Sequence, residues 1–571
     1  MTIPSGSVGD GSGQRLRRDV RLVGLLFTSV GAIIGSGWLF GAQSAANTAG
    51  PAAVFSWIIG GFMIMTIALV YAELGTMFPL SGGVTRFPHY AFGSFASYGF
   101  GWILWITCGS AAAIEVEAAM QYSSVHFPSL MHEVDGVPVL TFPFGFVIAV
   151  LLMGVLTAVN LYGIKWFARA NNALVWWKLA VIVVVIVAFA VTAFHSGNFN
   201  LADSAAGGHG GFAPFGLKGI LTSIATSGVV FSYLGFRQGI ELAGETDNPR
   251  RNIPIAVVGS VVLTGALYIL LQIVFIGSLS PDALAAGWGK ISLASGSTSV
   301  FGPLAALATI LGLNWLAVVL YLDAVVSPAD SGLIYTTSTS RVTYAMGRNR
   351  NAPSNLSRLN RRGTPWVSLL LTFFVGVIFF LPFPGWQSLV GFVTAATVLS
   401  LGSGALALAA FRRSLPDHPR PFKIPGKDVI PFLAFYSSNL IIFWTGWQTG
   451  WKLYVAVLIG YAVFVVTHPF IKDGPALELR SSSWFFPWLG GLALIGYLGD
   501  YPDQSQAAGN LGLIGFGWGF VVVLVWTAVI YGWAVRTRLS DAKVARMLAS
   551  GFVGEEDALD HAKDDGAAIA R

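Results

Sequence analysis

Long apolar stretches alternate with short polar connectors along nearly the whole chain. Each stretch is about 20 residues or longer, enough for a helix rising 1.5 Å per residue to cross a hydrocarbon core about 30 Å thick. Helix is the expected form, because a backbone surrounded by lipid must satisfy its own N–H and C=O groups. The pattern predicts an all-α integral membrane fold of about 14 transmembrane helices, at 22–45, 51–78, 92–125, 141–162, 172–194, 218–243, 253–279, 304–345, 366–383, 388–411, 430–449, 452–470, 484–499 and 511–535. Residues 1–20, rich in Gly, Ser and Arg, read as a loose tail, and residues 539–571 as a charged, helix-compatible soluble appendage. The first helix is too long for a removed signal peptide and has no small-residue cleavage site, so it is expected to stay in the mature chain.

Charge supports this layout, because Lys and Arg accumulate in the short cytoplasmic connectors of membrane proteins. Arg15, Arg17, Arg18 and Arg21 precede the first helix; Arg86, Lys165, Arg169, Arg250, Arg251, the arginines of 348–362, the basic residues of 412–427, Lys472, Arg480, Arg536 and Arg538 fall in every second connector. The opposite connectors carry little beyond Lys218, Lys290 and Lys452. Both termini are therefore expected in the cytoplasm, with the chain crossing the cell membrane many times. Composition agrees: 54% of residues are hydrophobic and only 11% charged, too few for a soluble surface, and the net charge of +6 reflects topology and calls for no nucleic-acid partner. Cys108 is the single cysteine, which excludes internal disulfides and a cysteine-based metal site. The histidines lack metal-ligand spacing and no GxxxxGK[ST] phosphate loop is present, so neither a cofactor nor direct ATP drive is expected.

The informative positions are those where apolar helices are interrupted. The first helix reads SVGAIIGSGWLFGAQSAANTAGP, with Gly31, Gly35, Ser36 and Gly37 inside it, and the sixth reads SGVVFSYLGFRQG, with a similar break near its middle. Glycine is common in membrane helices as a packing residue, but paired breaks five helices apart point to an inverted-repeat transporter that holds its substrate where the helices unwind. Unwinding frees backbone N–H groups at the start of one half-helix and C=O groups at the end of the other. The N–H groups and the positive helix end suit a carboxylate, and the carbonyls suit an ammonium group. One site can thus hold a zwitterion, which points to an amino acid.

Four motifs in order carry a family resemblance over roughly residues 20–470. GAIIGSGWLFG with NTAGP, YAELGTMFPLSGG (Tyr71 to Gly83), GFRQGIELAGETDNPRRNIPIAV, and SGLIYTTSTSRVTYAMGRNRNAP with GTP at Gly363 to Pro365 resemble the signatures of the amino acid–polyamine–organocation (APC) permeases, in particular the proton-coupled bacterial amino acid transporters. The resemblance implies a LeuT-like fold: a core of twelve helices at 21–470 built as a 5+5 inverted repeat with helices 1 and 6 broken, followed by two additional helices at 471–538. It implies secondary transport by alternating access. It also places the backbone site for the substrate's α-amino and α-carboxylate groups on Ile33, Gly35, Ser36 and Gly37, and on Phe231, Ser232 and Tyr233, with Phe231 at the aromatic gate position. Trp38 departs from the family, which more often has an aliphatic residue there.

Charged residues at membrane depth need partners. Arg237 follows the sixth-helix break, where the helix dipole is already positive, so an anion is expected beside it: Glu241 one turn on, Glu115 in the third helix, or a carboxylate on the substrate. The last would make aspartate or glutamate the cargo. Glu115 and Glu117, two residues apart, point to different faces, and Glu115 matches a third-helix glutamate of the family; it is a candidate proton carrier or the neutraliser of Arg237. Lys178 lies about 10 Å inside the fifth helix. It either snorkels to the surface or, as the resemblance implies, occupies the place where sodium-coupled relatives bind their ion and takes part in proton coupling. Glu73, Glu245 and Arg250 read as structural ion-pair residues, and Asp323 and Asp330, near a bend expected at Pro328, as candidate proton relays. The expectation is a proton-coupled symporter for an amino acid, with aspartate and glutamate favoured. An amino acid exchanger and a neutral amino acid permease are the close alternatives, and a sensor or channel on a transporter fold is the alternative of another class; no enzymatic constellation is found.

Overall fold

The computed structural model describes residues 20–548 apart from 135–136, 163, 201–210, 294–301, 350, 354–355, 357–359, 361–364, 382–384, 472–475 and 502–508. Most of the two expected tails lies outside the described residues, as do Arg15, Arg17, Arg18, Lys472, Gly363 and the side chains of Lys165, Arg169 and the arginines of 348–362.

Helix dominates, as the apolar runs require. The first span holds α1 (Leu22–Ile33) and α2 (Gly37–Ala49), parted at residues 34–36. Gly50, at φ +65°, and Pro51 then turn the chain into α3 (Ala53–Met77). A short α4 (Gly83–Phe92) is separated from the long α5 (Ser94–Ser123) by Gly93 at φ +87°. An antiparallel hairpin, Met131–Val134 paired with Val137–Leu140, leads into α6 (Phe144–Tyr162) and α7 (Ile164–Thr192). The sixth span is α8 (Gly216–Thr226), a tight 3-10 segment Phe231–Arg237 and the four-residue α9 (Gln238–Glu241); its two halves bend by 45°. Then come α10 (Pro249–Gly277), α11 (Pro303–Ile310), α12 (Asn314–Arg348), α13 (Trp366–Phe379), α14 (Trp386–Ser414), α15 (Val429–Trp444), α16 (Trp447–Thr467), α17 (Phe485–Leu498) and α18 (Phe516–Thr537).

Every span expected from the apolar pattern falls on a helix or a broken helix. Among the described residues, nine helical runs are long and apolar enough to cross a membrane, with α2 and α3 counted as one run of 41 residues, or ten with α8–α9 as one span; α1, α13, α15 and α17 are shorter apolar helices. The eighth span departs from expectation: Gly312 at φ +75° divides it into α11 and α12, while Pro328 lies inside the uninterrupted α12.

The bundle has a buried centre and an apolar rim. α5 lies along α12, α3 along α10, and α14 packs on α5 and α15, with α1 held among α7, α10 and α12. The apolar window of α14 is 100% buried, whereas α16 buries only 28% of its own. Leu151, Val155, Val191, Val465 and Trp518 are exposed on outer helices, the apolar surface a lipid-facing rim presents.

Candidate functional site

The two breaks meet at the centre of the bundle, and glycine makes the meeting possible. A Cβ on Gly235 would lie 2.5 Å from the carbonyl carbon of Ala32 and 2.8 Å from Cα of Ile33, so the backbone of the sixth span rests directly on the backbone at the end of α1. A Cβ on Gly37 would strike Ser232 Oγ and come within 3.3 Å of the Phe231 ring. One on Gly35 would lie 2.5 Å from Glu115 Oε1 and 2.8 Å from Ser331 Oγ. Close approach, rather than chain flexibility, therefore fixes glycine at these positions.

The carbonyls freed at the end of α1 are each met by a side chain. Gly31 O accepts from Lys178 Nζ at 2.9 Å and from Ser331 Oγ at 2.7 Å; Ala32 O accepts from Tyr335 Oη at 3.2 Å; Ile33 O accepts from Tyr268 Oη at 3.0 Å; Ile34 O lies 3.2 Å from Ser331 Oγ. At the other side of the break, Ser36 N donates to Glu115 Oε2 at 2.7 Å, so a carboxylate already rests at the positive end of α2. Gly37 and Trp38, the first residues of α2, have N–H groups without an intrahelical acceptor. At the second break Ser232 N and Oγ both donate to Gly228 O, at 2.9 and 2.7 Å. Gly228 is at φ +83°, and a Cβ there would press on Trp386. The Tyr233 ring turns away, its hydroxyl donating to Trp57 O at 3.1 Å, which leaves only its backbone at the break.

Lys178 does not snorkel. Its side chain is fully buried, and Nζ lies 2.7 Å from Asp330 Oδ2 and 3.1 Å from Ser331 Oγ as well as on Gly31 O. Arg237 is also buried, but with no such cage. Its guanidinium carbon is 5.6 Å from the centroid of the Tyr335 ring, and Nε and Nη1 have no hydrogen-bond partner among the described residues. The expected ion pair with Glu241 is not formed: both Glu241 oxygens are buried without a hydrogen-bond partner among the described residues, and the Arg237 side chain runs over Tyr335 on α12. Nor does Glu115 neutralise Arg237, since its carboxylate is turned to Ser36. Glu117 points elsewhere, as its offset of two requires, with both oxygens buried and without a hydrogen-bond partner among the described residues.

The outlying charges divide as follows. Glu73 takes a bidentate pair from Arg412, at 3.0 and 2.5 Å, and accepts Ile424 N. Glu245 takes one from Arg341, at 2.7 and 3.0 Å, tying the chain after α9 to α12. Arg250 is exposed. No break opens at Pro328, and Asp323 and Asp330 are both buried, Asp323 accepting from Trp177 Nε1 and Ser327 Oγ at 2.8 Å. No group of three or more metal-ligating side chains exists among the described residues.

The chain matches the amino acid permease family over residues 21–494. It is 35% identical to the glutamate/serine transporter AimA of Bacillus subtilis over 539 residues, 93% of this chain and 96% of that one, and 34% identical to the aspartate-proton symporter of the same organism over 532 residues, 92% and 98% of the two chains. The branched-chain amino acid permease BcaP of B. subtilis is 28% identical over 468 residues, 79% of this chain and 94% of that one. The chain belongs to the amino acid permease family. The permease is thus a multi-pass membrane protein, as its apolar helices require.

Sequence reasoning missed one residue of this permease that joins both breaks. Trp386, the first residue of α14, donates from Nε1 to Ser36 Oγ at 2.8 Å and meets the Phe231 ring edge-on at 6.2 Å. At a helix start it reads as an ordinary interfacial anchor. Tyr268 was hidden in the same way, among the aromatic residues of an apolar run, although its hydroxyl caps the first break.

Proposed function

We propose that this permease is a proton-coupled symporter that carries acidic amino acids, aspartate or glutamate, across the cell membrane by alternating access. The observation that carries the reading is a buried guanidinium that forms no ion pair among the described residues, Arg237, just beyond a break that rests on a second break. An unpaired buried charge is costly, and a substrate side-chain carboxylate is the group that completes it. The names of the two relatives at 34–35% identity support the same substrate class and, for one of them, proton coupling. We take the architecture to be the LeuT-like 5+5 inverted repeat with helices 1 and 6 broken, fourteen crossings and both termini in the cytoplasm; the paired breaks support it.

In this reading the backbone of Ile33, Gly35, Ser36 and Gly37 receives the α-carboxylate and α-amino groups together with that of Phe231, Ser232 and Tyr233. The Phe231 ring, held by Trp386, covers the site, and Arg237 receives the side-chain carboxylate. Glu115 must yield its place to the substrate. Its carboxylate occupies Ser36 N, the place an incoming α-carboxylate needs. Two carboxylates cannot share one positive helix end, so Glu115 swings aside as substrate arrives. Lys178 supplies the fixed cation of the coupling region.

Purified protein in liposomes tests the reading. A pH gradient alone, acid outside, accumulates labelled aspartate or glutamate against its own gradient. Uptake that requires unlabelled amino acid inside would instead establish an exchanger. Preferential accumulation of serine or leucine would move the protein to the neutral amino acid class, which the serine in one relative's name keeps as the second reading.

A further inference from the structure

The junction of α1, α7 and α12 holds a buried ion pair whose hydrogen-bond inventory distinguishes its members. Lys178 Nζ faces three oxygen atoms, Asp330 Oδ2 at 2.7 Å, Gly31 O at 2.9 Å and Ser331 Oγ at 3.1 Å. A charged lysine has three N–H donors and no lone pair, whereas a neutral one has two donors and a lone pair that wants a proton. Gly31 O can only accept. Ser331 Oγ spends its own proton on Gly31 O at 2.7 Å or Ile34 O at 3.2 Å, so it too presents a lone pair to Nζ. The cage therefore fits an ammonium group, and a neutral amine would leave a lone pair facing acceptors and strand a buried carboxylate. Asp330 is differently placed. Its Oδ1 is buried and has no hydrogen-bond partner among the described residues, which leaves a lone pair open to a proton.

We propose that the coupling proton binds Asp330, while Lys178 stays charged through the cycle. This rests on the symport reading above and assigns the residue within it. When Asp330 is neutralised, the Lys178 ammonium has only Gly31 O and Ser331 Oγ left as strong partners, and its charge shifts onto the end of α1. Protonation on α12 is thereby felt at the break that receives substrate. The charged and titratable groups around the pair are Glu115 on α5 and Asp323 on α12. Of these, Asp323 lies seven residues before Asp330, two helical turns along the same face, with Ser327 Oγ 2.8 Å from both its carboxylate oxygens.

Calorimetric titration of the purified full chain with aspartate, in buffers of different ionisation enthalpy, counts the protons taken up on binding. The wild type takes up a proton with each substrate, and Asp330→Asn binds aspartate with that uptake lost. Proton uptake that persists in Asp330→Asn and disappears in Lys178→Met overturns the assignment and leaves symport standing. If Asp330→Asn binds nothing, Asp330→Glu must restore binding together with the proton, and failure to restore both counts against the proposal. A wild type that binds aspartate without a proton sinks the symport reading and this assignment together.

Discussion

At the scale of single residues, Arg237 and Gly235 show two ways a sequence feature can be explained. Gly235 packs onto the backbone of Ala32 and Ile33, a constraint that depends on where another segment passes, so no local pattern could display it. Arg237 was legible as a cation in need of an anion, since position along an apolar run is a one-dimensional property. Its partner was not, because the side chain leaves α9 to lie over Tyr335. If it reads the substrate side chain, Arg237→Ala removes a charge-assisted contact worth about 1.5–3 kcal/mol. Aspartate affinity is then expected to fall roughly 10–100-fold, while alanine or serine affinity changes by less than about threefold. Competition binding with labelled substrate measures both, and an equal loss for all amino acids would make Arg237 structural. Lys178 teaches the converse lesson: helix rise gave its depth and family resemblance its importance, yet its partner Asp330 is far away in sequence and emerges only when α7 and α12 are packed.

At the scale of elements, the breaks in the first and sixth spans were readable from GSG and from the polar SYLGFRQG run, because glycine and polar residues interrupt an otherwise uniform apolar pattern. How the breaks are held was not readable. Lys178, Ser331, Tyr335 and Tyr268 cap four successive carbonyls from three different helices, and the tertiary fold alone brings them together. The hairpin at Met131–Leu140 was not legible in the apolar helical pattern, although Asp135-Gly136 in the sequence is a strong turn signal, because its strands are too short to show a periodicity of their own. The contact between the two spans is itself testable. Gly235→Ala inserts a methyl against main chain that cannot rotate away, an overpacking of about 1–3 kcal/mol. The expected result is a lowered thermal unfolding midpoint in detergent and loss of most of the stabilisation that aspartate confers. Gly490→Ala, in α17 with open space at its Cβ, is expected to change neither.

At the scale of the whole molecule, the question is what α17 and α18 add to the helices before them, the family match running through most of α17 to residue 494. They are fastened to those helices at two ends. Asn439 on α15 accepts from Trp488 Nε1 at 3.0 Å and donates to Thr527 Oγ1 at 2.9 Å, joining three helices through one amide. At the other end, Phe95 N donates to Leu477 O, Ser482 Oγ to Phe92 O and Leu539 N to Ala91 O, while Lys543 pairs with Glu478, which fills the space beside Gly93. The chain before and after the last two helices thus braces the α4–α5 corner. The breaks are capped instead from α5, α7, α10, α12 and α14, with no bond to α17 or α18 among the described residues. A brace and a substrate site built from separate elements should respond separately. Asn439→Ala leaves the buried Trp488 indole N–H and Thr527 hydroxyl without their bridge, and side-chain hydrogen bonds inside membrane bundles are worth about 0.6 kcal/mol on average. A lower unfolding midpoint is therefore expected, with aspartate affinity unchanged within about twofold, because contacts without a shared partner act additively. A matching loss of affinity would instead make the appended helices part of the transport cycle, transmitting through the α4–α5 corner to the long α5 that carries Glu115.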